Sequence, residues 1–250
     1  VEQFEIFIQK ITNGGILVYN EDDSEVKRVA ENAINPIRKI AYKTPEYSVE
    51  DGTTLLSTPE GPMPIEVFGA HNLNNLAGAK WICQNMGVDE ADFYEAIATF
   101  KGASKRLEKI AETKTAVAYK DFAHSPSKVK ATTEAVKAQY PNRKLVACLE
   151  LHTYSSLNAE FLKEYEGALD AADVAVVFYS PDAVKIKQLE EVTYDQISAA
   201  FKRNDLIIYT NPEEFKGFLY EHHLKESALL LMSSGNYGGL NFDEIQGLIS

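Results

Sequence analysis

Short apolar runs alternate with amphipathic stretches through the second half of the chain. Compact runs typical of buried strands occur at residues 115–119, 144–149, 174–178, 205–209 and 228–232. Apolar side chains recur at helical spacing between these runs, at residues 127–139, 159–171, 193–202 and 212–224. This alternation favours a mostly parallel sheet with helices packed on both faces. The predicted fold class is therefore α/β.

The first hundred residues mix helical and strand signals less regularly. The pattern predicts helices at about 4–11, 23–33, 71–86 and 90–99. An apolar run at 16–19 predicts a buried strand, and residues 36–68 carry short strand-like pieces broken by proline and glycine. The basic, polar stretch 101–114 is a candidate junction between two domains.

Composition and charge narrow the classes of partner. The 250 residues are long enough for one large domain or two ordinary ones. The net charge of −12 argues against a nucleic acid or an anionic membrane as the main partner, since both would repel the chain. No apolar run approaches the roughly 20 residues that a membrane span requires. Cys83 and Cys148 sit in apolar segments, which indicates free thiols and a reducing cytoplasm. No metal-ligand spacing is present, so we expect no structural metal site.

Two polar clusters fall where predicted elements meet in the first half of the chain. Residues 69–75 supply His71, Asn72 and Asn75 at the start of a helix, where amides and imidazoles can read a purine edge. Helix capping by asparagine is the alternative. Arg106, in the junction stretch, can clamp a phosphate with its planar fork. A solvated charged linker is the alternative there.

Further polar clusters follow predicted strands of the second half. Asp121 and His124 share one strand-to-helix turn, where a carboxylate can accept ribose hydroxyls and an imidazole can approach a transferring phosphoryl group. Satisfaction of the turn's backbone is the alternative. Segments 150–156 and 232–239 also follow strands, so they should line the same sheet edge. The chain contains neither a Gly-x-x-x-x-Gly-Lys-Ser/Thr loop nor a Gly-x-Gly-x-x-Gly turn.

Taken in order, these clusters resemble the Mur ligase superfamily over essentially the whole chain. The Gly-x-His-Asn-x-x-Asn pattern is matched at residues 69–75, and the Arg-hydrophobic-Glu hinge at 106–108. The Asp-Tyr/Phe-Ala/Gly-His-x-Pro motif is matched in full at 121–126. The resemblance implies that residues 1–106 are the C-terminal part of an ATP-binding central domain and 107–250 a Rossmann-like C-terminal domain. The details look most like the members that attach a tripeptide or L-alanine to UDP-N-acetylmuramate.

The resemblance also implies roles for individual residues. ATP would activate the muramate carboxylate as an acyl phosphate with the help of Mg²⁺, and an amine would then attack it. His71, Asn72 and Asn75 would form the adenine side of the ATP site, with Asp121 on the ribose. Arg106 and His124 would act on the phosphates and the acyl phosphate. The residues expected to face the incoming amine are His152, Tyr154, Gly235 and Asn236.

Three departures from the family pattern leave the incoming amine open. Ser125 stands where L-alanine-adding members often have a second histidine, Thr153 where relatives tend to have arginine, and Asn236 where an acidic residue is common. Because the chain lacks a starting methionine and the ATP loop, we expect a fragment that is inactive alone. The alternatives are a ligase similar to folylpolyglutamate synthase and a non-catalytic module that binds a nucleotide or a partner.

Overall fold

The computed structural model describes residues 1–190, 192–222 and 224–249. The chain divides into two compact units, residues 1–101 (unit 1) and residues 102–250 (unit 2). Arg106 therefore falls in unit 2, whereas the boundary expected from the sequence placed it at the end of the preceding domain. No helix in the described ranges is both long and apolar enough to cross a membrane.

The first half of unit 1 is a small parallel layer with two helices. Helix α1 (Glu2–Gln9) leads into strand β1 (Ile16–Asn20), and helix α2 (Ser24–Asn32) into strand β2 (Arg38–Tyr42). Strands β1 and β2 pair in parallel from Ile16 opposite Arg38 to Asn20 opposite Tyr42. Helix α2 begins where the Asp23 carboxylate accepts the first free backbone N–H groups. Its apolar side packs with α1 and β1 in a small core of Ile8, Leu17, Val29 and Ala30.

The second half of unit 1 is an antiparallel meander followed by two helices. Strands β3 (Tyr47–Glu50), β4 (Thr53–Thr58) and β5 (Gly61–Ile65) form the meander. Helices α3 (Ala70–Asn85) and α4 (Glu90–Ala98) follow it. One face of α3 packs against the meander and α4 around Leu56, Ile65, Leu73, Leu76 and Phe93.

Unit 2 is built on a six-stranded sheet in the order β10-β9-β8-β11-β7-β6. Its strands are β6 (Glu108–Glu112), β7 (Val117–Asp121), β8 (Lys144–Glu150), β9 (Val174–Phe178), β10 (Ile207–Tyr209) and β11 (Ser227–Met232). All neighbouring pairs are parallel except β6 and β7. The predicted α/β fold with a mostly parallel sheet is confirmed.

Helices cover both faces of this sheet. They are α5 (Pro126–Gln139), α6 (Ala159–Leu162), α7 (Pro181–Ile186), α8 (Tyr194–Phe201), α9 (Pro212–Glu221) and α10 (Ile245–Ile249). On one face, α9 and α10 bury Phe215 and Ile245 against strand residues such as Cys148 and Leu231. On the opposite face, α5 packs over β8 and β11. The central strands are buried on both sides, as parallel strands usually are.

Three local features of unit 2 differ from the sequence prediction. The helix predicted at 159–171 ends after one turn and a short 3₁₀ segment, because Tyr165 is buried in a stack on Phe201 and Gly167 adopts a φ of +72°. The predicted junction 101–114 contains β6, a polar edge strand that buries only Ala111 fully. The helix predicted at 212–224 ends at Glu221, and position 223 lies outside the described residues.

Candidate functional site

The carboxyl ends of three neighbouring strands define one edge of the unit 2 sheet. Met232, the last residue of β11, pairs with Asp121 of β7 on one side and with Leu149 of β8 on the other. The turns that follow these strands, residues 121–126, 150–156 and 233–239, therefore start side by side. In open parallel sheets, ligands bind at this edge, where the connections diverge. The prediction that these segments share one edge is confirmed.

Asp121 organises the first turn through its carboxylate. The side chain is 7% exposed, and Oδ1 accepts the Ala123 N–H at 2.6 Å. Oδ2 accepts the Leu107 N–H at 2.6 Å, which ties the start of unit 2 to the end of β7. Each carboxylate oxygen has two lone pairs, so a further hydroxyl is chemically compatible with these bonds. The ribose contact expected for Asp121 stays a prediction.

Arg106 is presented by a strained piece of backbone. The residues on either side, Lys105 and Leu107, adopt left-handed φ angles of +57° and +43°, which are uncommon for residues other than glycine. Such strain persists only where the surroundings enforce it, and it concentrates at functional sites. Here the carbonyl of Lys105 accepts the Phe122 N–H at 2.9 Å, and Asp121 holds Leu107. The exposed Arg106 guanidinium lies 5.4 Å from the centre of the Phe122 ring.

His124 contacts the same phenylalanine ring. Its Nδ1 is 2.8 Å from the carbonyl oxygen of Phe122, so Nδ1–H donates and, in the neutral ring, Nε2 carries the lone pair. The two rings meet edge to face at 5.1 Å. The Tyr165 hydroxyl donates a hydrogen bond to the carbonyl oxygen of His124 and fixes the backbone at that residue. The structure thus gathers Arg106 and His124, two predicted site residues, around Phe122.

The first turn of α5 lies directly beyond His124. Ser125 is the N-cap but its side chain makes no cap bond, and Pro126 occupies the first turn. An open cavity of about 530 Å³ adjoins this turn, lined in part by Lys130 and Phe161. The N-terminal end of a 14-residue helix favours a neighbouring anion.

Glu150 is the centre of a second cluster, at the ends of β8 and β11. Glu150 belongs to the predicted segment 150–156, but the sequence pattern assigned it no role of its own. Its side chain is 3% exposed, and Oε2 accepts the Ser233 hydroxyl and, at 2.8 Å, the Tyr237 N–H. Oε1 lies 3.5 Å from Nδ1 of His152. A glutamate that ends an otherwise apolar strand was the available signal for this cluster.

The turn after β11 is locked against Glu150 by Tyr237. This residue has a φ of +53°, and its buried ring stacks on Phe215 with the centroids 4.9 Å apart. Its hydroxyl lies within 2.9 Å of the carbonyl oxygens of Cys148 and Met232. Burial raises the pKa of the Tyr237 phenol well above its usual range. The neutral hydroxyl is thus kept as a donor to the sheet.

Gly235 passes so close to the Glu150 cluster that a side chain cannot fit. A Cβ there would lie 2.8 Å from Oε2 of Glu150 and 3.0 Å from Cγ of His152. We expect Gly235→Ala to cost about 1–3 kcal/mol of the free energy of unfolding, because the turn must move off the carboxylate. Urea titration followed by circular dichroism would measure the change.

The matched control for this substitution is Gly217→Ala in the interior of α9. A Cβ there meets nothing within 4 Å, and alanine favours a helix over glycine by about 1 kcal/mol. The control should therefore be stabilised or unchanged. If Gly235→Ala were equally well tolerated, the close approach of the turn to Glu150 would be contradicted.

The other residues predicted to face the incoming amine are less buried than Glu150, and their contacts are to residues of their own or adjacent turns. Tyr154 is 64% exposed, and the Lys187 ammonium lies 4.7 Å from the centre of its ring. Asn236 is exposed, and its Oδ1 accepts the Gly239 N–H at 3.2 Å within the same turn. Thr153 closes a short turn with Ser156 through mutual hydroxyl and backbone bonds. Of the predicted amine-side residues, the structure brings His152 and Gly235 together at Glu150.

In unit 1, the predicted adenine residues occupy the first turns of α3. The helix begins at Gly69, whose φ is +86°, and no side chain caps it. Asn72 donates its amide to the carbonyl of Phe68 at 3.0 Å rather than capping the helix. His71 is half-buried and Asn75 is exposed. Their contact with a purine stays a prediction.

Asn74, one of the three amides of the 69–75 cluster, links α3 to the carboxyl ends of β1 and β2. Its Nδ2 lies 3.1 Å from the Thr44 hydroxyl, 3.2 Å from Oδ1 of Asn20 and 3.3 Å from Oδ2 of Asp22. The Thr44 N–H is the main cause of a lowered pKa of the Asp22 carboxyl. This network fixes the start of α3 beside the edge of the small parallel sheet. In the described part of the chain, no three histidine, cysteine or acidic side chains could hold a metal ion.

Comparison with protein families gives one match across unit 2. The family described as Mur ligase, glutamate ligase domain, matches residues 105–235, just over half of the chain. A UDP-N-acetylmuramate–L-alanine ligase from Caldicellulosiruptor bescii is 31% identical over 186 residues, which cover 70% of this chain and 40% of that protein. The chain spans about half the length of the curated relatives it matches.

Solved structures share the fold over nearly the whole chain. The MurF ligase of Thermotoga maritima in complex with ADP aligns with a TM-score of 0.67 at 16% identity, covering 99% of this chain and 56% of that one. A murein peptide ligase from Psychrobacter arcticus aligns with a TM-score of 0.59 at 18% identity, covering 99% and 52%. At these identities, the similarity establishes the fold alone.

Proposed function

The chain belongs to the Mur ligase family, and we propose that it forms part of an ATP-dependent ligase of peptidoglycan precursors. The reaction would join an amino acid or a peptide to UDP-N-acetylmuramate through an acyl phosphate. We place this reaction in the cytoplasm, where a protein with two free thiols stays reduced. By themselves, the 250 residues are expected to turn over no ATP, since they contain no Gly-x-x-x-x-Gly-Lys-Ser/Thr loop.

The observation that carries this proposal is the grouping of Arg106 and His124 around Phe122 at the carboxyl end of β7. A planar guanidinium suits phosphate oxygens because it can donate two parallel hydrogen bonds. The imidazole beside it keeps an Nε2 lone pair, and the first turn of α5 adds backbone N–H groups that attract anions. Together they form a site for a phosphoryl group in transfer.

In the proposed reaction, each group would contribute by position and charge. Arg106 would neutralise ATP phosphates, and His124 would lie beside the acyl phosphate. Asp121 would hold Arg106 and His124 in position through the backbone of Leu107 and Ala123. Its carboxylate would also accept hydrogen bonds from the ribose hydroxyls. Phosphoryl transfer depends mainly on such positioning and charge stabilisation. Among the residues that the structure describes, no group of three histidine, cysteine or acidic side chains could hold Mg²⁺, so we propose no metal-bound step on this chain.

The remaining site residues would contact the adenine of ATP and the incoming amine. His71, Asn72 and Asn75, on the first turns of α3, would read the adenine edge by paired donors and acceptors. His152 and Gly235, beside Glu150, would face the incoming amine, with Tyr154 and Asn236 at the rim.

The proposal is tested by phosphate release from ATP in the complete protein that the gene encodes. We expect release only when UDP-N-acetylmuramate and an amine are both present, and the tripeptide and L-alanine should be compared as the amine. Stimulation by one of them would identify the substrate. If neither stimulates release, the muramate assignment is wrong.

A pair of arginine variants tests the site itself in the same assay. Arg106→Gln should lower kcat by about a hundredfold or more, as removal of one charge-stabilising donor does in other enzymes. Arg28→Gln, which removes an exposed arginine of α2 that pairs with Glu25, should leave kcat unchanged. Equal activity of the two variants would contradict the role of Arg106.

A further inference from the structure

Glu150 is a carboxylate buried where β8 ends, and its two oxygens face different groups. Oε2 accepts two donors from the turn after β11, the Ser233 hydroxyl and the Tyr237 N–H. Oε1 faces Nδ1 of His152 at 3.5 Å. Burying a carboxylate to 3% exposure is costly unless hydrogen bonds compensate. These contacts account for a charged residue at the end of a buried strand.

The contacts of Glu150 hold its carboxylate beside His152. The Tyr237 N–H belongs to a backbone fixed by a buried ring, so Oε2 is held in place. Gly235 closes over both side chains, with the position of its missing Cβ within 3.0 Å of each. In the same turn, the Ser234 hydroxyl is shielded from solvent and lacks a partner among the described residues. Unpaired buried groups are rare in proteins and are compatible with a ligand that supplies the partner.

The orientation of His152 fixes which nitrogen is available for chemistry. A carboxylate beside Nδ1 favours the tautomer that carries its proton there, which leaves the lone pair on Nε2. The His152 side chain is 40% exposed and lies at the sheet edge where ligands of such folds bind. We propose that Glu150 positions His152 as the proton acceptor for the amine that attacks the acyl phosphate.

This inference rests on the proposed ligase function, and it assigns the group that accepts the proton of the attacking amine. The amine nitrogen forms a bond to the acyl carbon, the bond from that carbon to the phosphate oxygen breaks, and phosphate leaves with the electron pair. The nitrogen must lose a proton, which passes to Nε2 of His152. Since β11 alone separates β8 from β7, the turns that carry His152 and His124 start about 10 Å apart.

Glu150→Gln is the decisive substitution because it keeps the shape of the side chain. The Tyr237 N–H requires an acceptor, so the amide oxygen of the new residue must face it. The amide NH₂ then faces Nδ1 of His152 and donates to it, which moves the imidazole proton to Nε2 and removes the lone pair. The variant should therefore fold and bind as before but lack the proton acceptor.

The tautomer is measured on the 250-residue chain by nitrogen-15 NMR of the His152 ring. We expect the Nδ1–H form in the wild-type chain and the Nε2–H form in Glu150→Gln. The matched control is Glu160→Gln, which changes an exposed glutamate and should keep the wild-type tautomer. An unchanged His152 tautomer in Glu150→Gln would overturn the proposed role of Glu150.

Activity is measured in the complete protein with two acceptors, the natural amine and hydroxylamine. Hydroxylamine is a weak base that reacts with acyl phosphates without needing a protein base. We expect Glu150→Gln and His152→Gln to lower kcat for amide formation by about a hundredfold, with little change in the KM for the amine. Hydroxamate formation should stay within about twofold of wild type, because general-base catalysis is then not required.

The outcomes separate the inference from the function on which it rests. Absence of hydroxamate with the wild-type protein would mean that no acyl phosphate forms, and the proposed function itself would fail. A parallel fall in amide and hydroxamate formation would show a purely structural role and overturn the inference. His152→Gln changes a partly exposed side chain, so it decides the question even if Glu150→Gln fails to fold.

Discussion

Replacing Asp121 with asparagine is expected to lower the free energy of unfolding by about 2–4 kcal/mol. The carboxylate uses one oxygen for the Ala123 N–H and the other for the Leu107 N–H, both at 2.6 Å. Asparagine has one oxygen, so one of these N–H groups must face an NH₂ group. A buried donor without an acceptor costs about 1–3 kcal/mol, and the loss of a charged acceptor adds to this.

The position of the lost bond can be measured directly. Amide hydrogen exchange should accelerate at Leu107 or Ala123 in Asp121→Asn, in addition to the general loss of stability. Asp182→Asn is the control, since Asp182 is an exposed residue of α7 with a distant ion pair, which contributes little. Wild-type stability and exchange in Asp121→Asn would contradict the role assigned to this carboxylate.

The same substitution separates two roles of Asp121. A carboxylate that only contacts ribose would affect nucleotide binding and leave stability unchanged. In the structure, the Asp121 carboxylate accepts the Leu107 N–H. Leu107 belongs to the left-handed segment that presents Arg106, so this bond also holds that segment in place. We therefore expect the variant of the complete protein to lose activity together with stability.

Much of the unit 2 sheet could be predicted from the sequence because its strands are buried on both faces. The runs that became β8 and β11 are almost entirely apolar, so their limits were predicted to within one residue. Strand β6 was missed because it lies at the edge of the sheet and reads as Glu-Lys-Ile-Ala-Glu, with little to bury. Edge strands give weak hydrophobic patterns by their nature.

The candidate site could be predicted only where its residues are close in sequence. Asp121 and His124 share a single turn, so their positions after a strand were enough to select them. Glu150 was missed because its partner Tyr237 lies 87 residues away, and no local pattern reports such a contact. The contacts of Asn74, an amide of the 69–75 cluster, could not be predicted for the same reason, since its partners come from β1 and the loop after β2.

Unit 2 should lose stability steeply when the pH is raised above the usual pKa of tyrosine, about 10. Tyr119, Tyr165 and Tyr237 are each less than 5% exposed. Burial raises the pKa of each phenol, and for Tyr119 the neighbouring Tyr140 hydroxyl adds to the shift. The hydroxyls of Tyr165 and Tyr237 donate to carbonyl oxygens, so ionisation would place a negative charge against these acceptors.

The sign of the effect follows from the raised pKa values. Below about pH 10 the phenols are neutral in both states and the stability is unaffected. Above that pH, only the unfolded chain releases the protons, so stability falls by about 1.4 kcal/mol per pH unit for each phenol. Near pH 11, the three phenols together lower the free energy of unfolding by about 4 kcal/mol. This is a large part of the 5–15 kcal/mol by which a typical domain is stable.

The alkaline transition is followed by the ultraviolet absorbance of tyrosinate together with circular dichroism. The buried tyrosines should ionise in one step, together with the loss of secondary structure. Tyr237→Phe removes one of the three groups, so the fall in stability per pH unit above pH 10 should shrink by about a third. A slope equal to that of the wild-type chain would show that Tyr237 ionises within the folded protein.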